Sequence, residues 1–232
     1  MADRPIIFSA PMVRALLDGR KTQTRRKFEL PANSGRMKLS AMPNIRECKW
    51  QRGDRLWVRE AWRIGAWDWN NAQIAVDYCD GPRKEWLAVD DGDMLHRLID
   101  QSRADAVKAG LPLRYSYYEY SWSPGHSPCR WRSPIHMPRW ASRLTLLVTD
   151  ARVQRLQEIS DDDARAEGVL PDGFEGYRGH EGTIGYPTAI WAFRHIWHTI
   201  HGPDAWDANP WVAAISFTVH RCNIDKMEEG TW

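Results

Sequence analysis

The sequence has few cysteines, no long apolar run and little net charge, and each shortage excludes a class of protein. No C-x-x-C pair occurs, because the four cysteines are widely spaced: Cys48, Cys79, Cys129 and Cys222. This spacing excludes a zinc knuckle and a compact disulfide framework, so we expect a reduced, cytoplasmic chain. No segment approaches the ~18 apolar residues of a membrane span, and no apolar run follows the N-terminal charges. We therefore expect a soluble protein without a membrane partner.

A formal net charge of +2 gives little bulk attraction to nucleic acid, so any binding to phosphate must come from local patches. Tryptophan, in contrast, is abundant at 14 residues, several of them beside arginine or proline. Most are expected to fill a core, and a minority could stack on a base. With 43% hydrophobic residues in 232, we predict a single domain, residues 1–232, with insertions at about 65–140 and 170–200.

A concentrated basic segment follows the first predicted helix. Pro11 suits the start of that helix, Leu16 and Leu17 give it an apolar stripe, and Gly19 is a natural left-handed stop. The next seven residues, 20–26, carry four cations interrupted only by Thr22, Gln23 and Thr24. The simplest interpretation is a basic loop that contacts phosphate or water. The hydroxyl and amide side chains favour a chemical role instead.

Apolar periodicity indicates an α+β fold. Strands are predicted at 6–8, 55–62, 73–79, 114–120, 143–149 and 211–219. Helices are predicted at 11–18, about 90–110, 161–168 after a Ser160 cap, and 187–201. Residues 27–50, 121–138 and 170–186 are predicted loops, because proline, glycine or small polar residues are frequent there. About six strands with three or four helices predict an α+β barrel.

Four motifs resemble one family. Gly19-Arg-Lys-Thr-Gln-Thr-Arg-Arg26 after a helix and Gly53-Asp-Arg-Leu-Trp-Val58 in a strand resemble the ASCH domain, a small β-barrel family related to PUA RNA-binding domains. Arg4-Pro-Ile-Ile-Phe-Ser-Ala-Pro-Met12 and His136-Met-Pro-Arg-Trp-Ala-Ser-Arg143 are similar to its phage and prophage branch. The resemblance implies a PUA-like barrel with flanking helices and long loop insertions. The middle of the chain carries no such motif.

Part of that family hydrolyses N4-acetylcytidine to cytidine and acetate, and the resemblance places its three site residues at Lys21, Thr24 and Glu167. Glu167 is matched through the register of the helix that follows Ile159. The implied roles are nucleophile for Thr24, base for Lys21 and acid for Glu167. Direct attack by water, with Thr24 only positioning it, is an open alternative. To act as a general base, Lys21 needs a pKa well below its ordinary ~10.4. Burial and neighbouring arginines would lower the pKa in this way.

Each of these residues also has a structural alternative. Lys21 and Glu167 could be solvated, and Thr24 could bond loop backbone. If residues 20–26 formed one straight strand, Lys21 and Thr24 would point to opposite faces, so the mechanism requires irregular backbone here. For substrate binding, we predict Arg139 and Trp140 as edge reader and stacking partner, and Arg26 as a contact to a carbonyl or phosphate oxygen. Their alternatives are a structural ion pair and a core tryptophan.

The sequence leaves two main classes of function open, and a nuclease is a third that the family resemblance allows but no metal-binding carboxylate cluster in the sequence supports. The first is a metal-free amidohydrolase acting on N4-acylated cytosine nucleosides or bases. The second is a module that binds RNA or another modified or single-stranded nucleic acid without cleaving it. A metal site at His195, His198 and His201 is disfavoured, because no carboxylate is spaced to join them. We predict no metal and no cofactor.

Overall fold

The computed structural model describes residues 1–28, 48–111, 117–172, 176–180 and 184–227. The α-helices are α1 (Ala10–Leu17), α2 (Gly92–Lys108), α3 (Asp161–Ala166) and α4 (Ala189–His201). The β-strands are β1 (Asp3–Ile7), β2 (Gln23–Lys27), β3 (Arg55–Arg59), β4 (Trp62–Asp68), β5 (Gln73–Tyr78), β6 (Lys84–Ala88), β7 (Glu119–Ser121), β8 (Thr145–Arg155), β9 (Leu170–Asp172), β10 (Gly176–Arg178) and β11 (Trp211–His220). The α+β prediction is confirmed. The described strands form three sheets and no closed barrel.

The chain divides into two compact units. Unit 1 comprises Met1–Arg4, Pro11–Trp57 and Leu144–Arg221, and unit 2 comprises Pro5–Ala10, Val58–Arg143 and Cys222–Trp232. The predicted insertion at 65–140 falls in unit 2, and the one at 170–200 falls in unit 1. The single domain itself stays a prediction.

Unit 1 contains β2, β8 and β11 in full, and these strands belong to a five-stranded sheet in the order β1-β3-β8-β11-β2. Strand β11 lies between β8 and β2 and pairs antiparallel with both. Its residues from Val212 to Ile215 are all fully buried, as expected of a central strand covered on both faces. Three of the buried side chains of α4, Ala192, Phe193 and Trp197, pack with Leu156 and Val212 into the apolar core of this unit.

Helix boundaries in unit 1 follow local chemistry closely. Gly19 ends the first helix with φ +73°, a conformation that residues with a Cβ rarely adopt. The Ser160 hydroxyl accepts a hydrogen bond from the Asp163 amide at 3.1 Å, which caps α3 as predicted. Helix α4 begins two residues later than predicted, because the Thr188 side chain caps it by accepting from the Trp191 amide.

Unit 2 contains a four-stranded antiparallel sheet in the order β6-β5-β4-β7. Strand β4 is buried from Trp62 to Trp67, and α2 contributes Leu95 and Ile99 to the same apolar core. A buried charge cluster lies in this unit. The Arg143 guanidinium donates to both Glu60 carboxylate oxygens at 2.9 Å and lies 2.7 Å from the Asp80 carboxylate.

The structure contradicts the loop predicted at 170–186, and the loop predicted at 27–50 lies mostly outside the described residues. Residues 170–186 were predicted as loop, yet β9 and β10 pair antiparallel there, and an Arg178–Asp172 ion pair of 2.8 Å joins them. Of the predicted strand at 114–120, residues 114–116 lie outside the described residues, and the described remainder is in strand β7 only from residue 119.

Within the described part of the chain, no helix combines the length and the apolar character that crossing a membrane requires.

Candidate active site

Lys21 and Glu167 meet through both main chain and side chain. The turn at Gly19 returns the chain so that the Lys21 amide donates to the Ala15 carbonyl at 2.9 Å. The next amide, of Thr22, donates to the Ala166 carbonyl at 2.9 Å. Lys21 and Glu167 also form an isolated antiparallel β-bridge. The two side chains therefore start from backbone positions that are already fixed.

The Lys21 ammonium is buried and has three acceptors. Its Nζ lies 2.8 Å from Glu167 Oε2, 2.8 Å from the Glu167 carbonyl oxygen and 2.9 Å from the Gln23 carbonyl oxygen. Lys21 is 1% exposed and Glu167 is 3% exposed, so their interpretation as solvated residues is wrong. A buried amine with three acceptors has its protons directed at fixed positions.

Arg25 occupies the other oxygen of the Glu167 carboxylate. Its Nη1 lies 3.1 Å from Glu167 Oε1, and its Nη2 lies 2.8 Å from Asp163 Oδ2. Arg152 also donates to Asp163, at 2.5 Å, and Gln23 donates to its other oxygen at 3.1 Å. The carboxylates of Asp163 and Glu167 are thus held by three cations, which are Lys21, Arg25 and Arg152.

Burial and charge act in opposite directions on this network. Burial lowers the pKa of Lys21 from its ordinary 10.5, the adjacent Glu167 carboxylate opposes that change, and the charges of Arg26 and Arg25 add to it. For Asp163, burial acts to raise the pKa, but the hydrogen bond from Arg152 and the charge of Arg25 outweigh it, and the pKa is lowered. The lowered pKa of Lys21 is the direction that a base needs.

Thr24 lies one residue along β2 from both Gln23 and Arg25. Since side chains alternate along a strand, and these two neighbours contact residues on or at the end of α3, Thr24 belongs to the opposite face of β2. Thr24 is 3% exposed and pairs with Ile215 of β11. Among the described residues it makes no side-chain hydrogen bond to Lys21 or Glu167. The structure thus joins two of the three predicted residues directly.

Arg26 lines a pocket of about 410 Å³, here called the Arg26 pocket. Residues 26–28, residues 48–50 and His201 surround it. Its described lining contains three cations and no carboxylate, and Lys49 Nζ lies 5.6 Å from the centre of the Trp50 ring. Burial, followed by the charges of Lys27 and Arg26, lowers the pKa of His201. The pocket is electropositive and partly aromatic.

Arg139 and Trp140 lie in unit 2 and are engaged there. Arg139 donates to Asp225 at 2.6 and 2.9 Å, and both side chains are partly exposed. Trp140 packs edge-on against Trp62, with ring centres 6.1 Å apart. These are the structural ion pair and core tryptophan that were the alternative interpretation, and their predicted substrate roles stay predictions.

The predicted histidine series on α4 has other partners. His195 Nδ1 lies 3.1 Å from the Tyr186 hydroxyl, and the His201 ring packs against Trp197 with centres 4.2 Å apart. Among the described residues, no group of three or more His, Cys, Asp or Glu side chains is arranged to hold a metal ion.

Sequence reasoning missed Arg25, Gln23 and Asp163 as members of the site. A signal was present: Asp163 and Glu167 are four residues apart and so share a helix face, while Gln23 and Arg25 alternate along a strand. Asp163 and Glu167 on the helix can accept hydrogen bonds from the Gln23 and Arg25 side chains on the strand, so the two faces are complementary. In the sequence alone, Arg25 is one of four cations within residues 20–26.

Comparison of this chain with protein-family models, with curated proteins and with solved structures found no match.

Proposed function

We propose that unit 1 hydrolyses the amide of N4-acylated cytosine nucleosides or bases, releasing the cytosine compound and a carboxylate. The observation that supports this most directly is the contact of 2.8 Å between Lys21 Nζ and Glu167 Oε2. These residues are the base and the acid that the resemblance to ASCH amidohydrolases implies. Amide hydrolysis needs a base and an acid that can exchange protons near one reacting centre, and this contact brings the two proposed groups together.

The contact offers a way to prepare both groups in one step. Transfer of one proton from Lys21 Nζ to Glu167 Oε2 converts the ion pair into a neutral amine and a neutral carboxylic acid. The amine can then accept a proton from the nucleophile, and the acid can donate one to the departing N4. Burial favours the neutral pair, and Arg25 on the second oxygen opposes it. The two groups therefore act as a unit.

Two nucleophiles are compatible with this proton transfer. In the first, Thr24 Oγ1 attacks the acyl carbon, its proton passes to Lys21, and collapse of the adduct breaks the C–N bond as Glu167 protonates N4. Water then cleaves the acyl–threonine ester to the carboxylate. In the second, water attacks directly and Thr24 only positions it. Because Thr24 lies on the other face of β2 from Arg25, the present geometry supports the second more directly.

Substrate contacts belong to the same proposal. Arg26 lies close enough to Glu167 for that carboxylate to act on its pKa, which burial lowers and Glu167 raises. Since Arg26 also lines the Arg26 pocket, we propose it as the contact to a substrate carbonyl or phosphate oxygen.

The proposal extends to fold and location. We propose that the chain has the PUA-like barrel of the ASCH family, of its phage and prophage type. The α+β architecture supports this proposal, although the described strands form open sheets. We also propose a cytoplasmic location, which is supported by the wide spacing of the four cysteines and the absence of any C-x-x-C pair.

The test is release of cytidine from N4-acetylcytidine, followed by chromatography. Wild type is expected to release cytidine, and Lys21→Ala and Glu167→Gln are each expected to lose ~100-fold or more in rate, in line with general acid–base contributions. Lys108→Ala and Glu158→Gln, at exposed positions, are the matched controls and should retain full activity. Equal rates for wild type and Lys21→Ala, or release by neither, would remove the proposal.

The nucleophile can be assigned with Thr24 variants. If Thr24 attacks, Thr24→Ala is inactive, Thr24→Ser retains activity, and quenched wild type carries the added mass of one acetyl group on the Thr24 peptide. If water attacks, Thr24→Ala retains measurable turnover and no acylated peptide forms. Either result is compatible with hydrolysis and decides between its two routes.

A second function is favoured by the Arg26 pocket itself. Three cations and two aromatic rings with no carboxylate in the described lining are what a module holding a nucleotide without cleaving it would need. Salt-dependent binding of single-stranded RNA, weakened by Lys49→Gln and unaccompanied by turnover of N4-acetylcytidine, would favour this function. Absence of binding at low salt would dismiss it.

A further inference from the structure

A second pocket of about 410 Å³ lies in unit 2, where neither proposed function uses it. It is lined by Trp62, Gln101, residues 130–133 and His136, and is here called the Trp131 pocket. Its volume is within the ~300–1,000 Å³ range of ligand-binding pockets. It shares no lining residue with the Arg26 pocket.

The main chain fixes the segment that carries this pocket. Arg132 forms an isolated antiparallel bridge with Trp62, the first residue of β4. The Arg132 amide donates to the Trp62 carbonyl at 2.8 Å, and the Trp62 amide donates back at 3.3 Å. The side chains of residues 130–132 are thus presented from a backbone anchored to the edge of the sheet.

Trp131 offers an aromatic surface to solvent. It is 45% exposed, although indole rings are usually buried. The Arg63 guanidinium lies 4.5 Å from the ring centre and covers one face. The exposure of Trp131 and its place in the pocket lining leave part of the ring available for stacking, and the Arg63 contact restricts the orientation of the ring.

The pocket is positively charged. Arg130 and Arg132 line it, and its described lining contains no carboxylate. Arg132 is held over the Trp62 ring, with its Cζ 4.8 Å from the centre, and donates to Gln101 at 3.1 Å. Burial and then the charge of Arg130 lower the pKa of Arg132, with Asp105 acting against them. A bound anion would relieve the repulsion between these two guanidinium groups.

We propose that the Trp131 pocket binds single-stranded nucleic acid, with one base stacked on Trp131 and an adjacent phosphate held by Arg130 and Arg132. An exposed indole beside paired arginines matches the combination that binds unpaired strands, in which aromatic rings hold bases and cations follow the backbone. An acidic peptide would satisfy the arginines but would leave the indole face without a flat partner. The proposal does not depend on the Lys21–Glu167 pair.

The test measures binding of fluorescein-labelled oligouridylate and oligothymidylate of about 12 nucleotides to the full chain by fluorescence anisotropy at about 20 mM salt. Trp131→Ala is expected to weaken binding about 5- to 150-fold, the loss expected for one stacked base. The matched control is Trp86→Ala, because Trp86 is equally exposed at 45%, lies in the same unit and is outside the pocket. Trp131→Phe should restore most of the affinity.

The phosphate contacts have their own readout. Arg130→Gln combined with Arg132→Gln is expected to reduce the slope of log K against log salt by about 1.4, which corresponds to two lost phosphate contacts on a single strand. Arg83→Gln with Arg97→Gln removes the same charge from exposed positions of unit 2 and should leave the slope near wild type. Oligouridylate and oligothymidylate compared side by side distinguish RNA from DNA as the preferred strand.

Three results would overturn the proposal. They are absence of binding to either oligonucleotide by wild type at low salt, equal losses from Trp131→Ala and Trp86→Ala, and full displacement of the strand by an oligoglutamate peptide. The loss caused by Trp131→Ala should also persist in Lys21→Ala and Lys49→Gln backgrounds. Persistence there separates this site from both functions proposed for unit 1.

Discussion

Arg25 and Lys21 share one carboxylate: Arg25 Nη1 lies 3.1 Å from Glu167 Oε1, and Lys21 Nζ lies 2.8 Å from Glu167 Oε2. Neither cation has appreciable solvent contact, since their side chains are 0% and 1% exposed. Buried cations without a counter-charge are strongly destabilising. Glu167 is therefore a structural requirement as well as a proposed proton donor, and the two roles need separate measurements.

The structural role predicts a large loss when the shared carboxylate is removed. Glu167→Leu should lower the free energy of unfolding by about 3–5 kcal/mol, because the buried Lys21 loses this carboxylate and Arg25 keeps Asp163 but loses the second of its two carboxylates. The double variant Lys21→Met with Glu167→Leu should lose about 1–3 kcal/mol less than the sum of the single losses. Urea unfolding followed by circular dichroism measures all of these values. Lys108→Met with Glu158→Leu, at exposed sites, should be additive, and additivity at the buried pair would contradict the prediction.

We predict that position 168 tolerates no side chain, because Gly168 lies directly beside Lys21. It has φ +94°, and an added Cβ would lie 2.9 Å from the Cβ atoms of both Ala15 and Lys21. Gly202 has the same φ but nothing within 4 Å of an added Cβ. Both alanine variants carry the backbone penalty of about 1–3 kcal/mol. Gly168→Ala should lose about 1–3 kcal/mol more because of crowding, and equal losses in urea unfolding would show that the crowding is absent.

The lowered pKa of Asp163 predicts that the protein loses stability as the pH falls into the acid range. Its folded pKa is below the ordinary 3.8, so the unfolded chain takes up this proton at higher pH than the folded chain does. The stability that Asp163 contributes is thus present above about pH 4 and is lost as the pH falls through the lowered value. The difference in unfolding free energy between wild type and Asp163→Asn should be constant from about pH 7 to 5 and shrink below pH 3.8.

Arg152 provides the check on the cause of this pH dependence, because its hydrogen bond is the first of the effects that lower the pKa of Asp163. In an Arg152→Gln background, the stability that Asp163 contributes should begin to fall at a higher pH, and its total loss should be smaller. An acid-side profile that Arg152→Gln leaves unchanged would contradict the assignment.

The Arg143 cluster predicts that arginine and lysine are not interchangeable in unit 2. Arg143 holds both oxygens of Glu60 at 2.9 Å and reaches Asp80 at 2.7 Å, geometry that a single ammonium cannot reproduce. Arg143→Lys should destabilise by about 3–5 kcal/mol, because buried carboxylates lose part of their pairing. Arg139→Lys, at the exposed pair with Asp225, should lose no more than about 1 kcal/mol. Similar losses from the two substitutions would refute the argument.

Local signals in the sequence predicted much of the fold. Gly19 ended a helix, Ser160 capped one, and the alternation from Trp211 to Val219 marked a strand, because each signal depends only on neighbouring residues. The β9–β10 hairpin was missed because its strands are three residues each, shorter than any periodicity can reveal. The Lys21–Glu167 contact spans 146 residues, and only the family resemblance placed the two together. Arg25 was missed because a run of cations does not show which one is buried.

The main-chain bonds on either side of position 21 have a practical consequence. The Lys21 and Thr22 amides are tied to the Ala15 and Ala166 carbonyls, so the backbone keeps its course without the lysine side chain. Lys21→Ala therefore leaves a narrow slot that ends at the Glu167 carboxylate and matches a short alkylamine. Ethylamine or propylamine added to that variant should restore turnover with saturation kinetics, whereas bulkier amines should fail. Such rescue would place the proposed hydrolysis under the control of an added reagent.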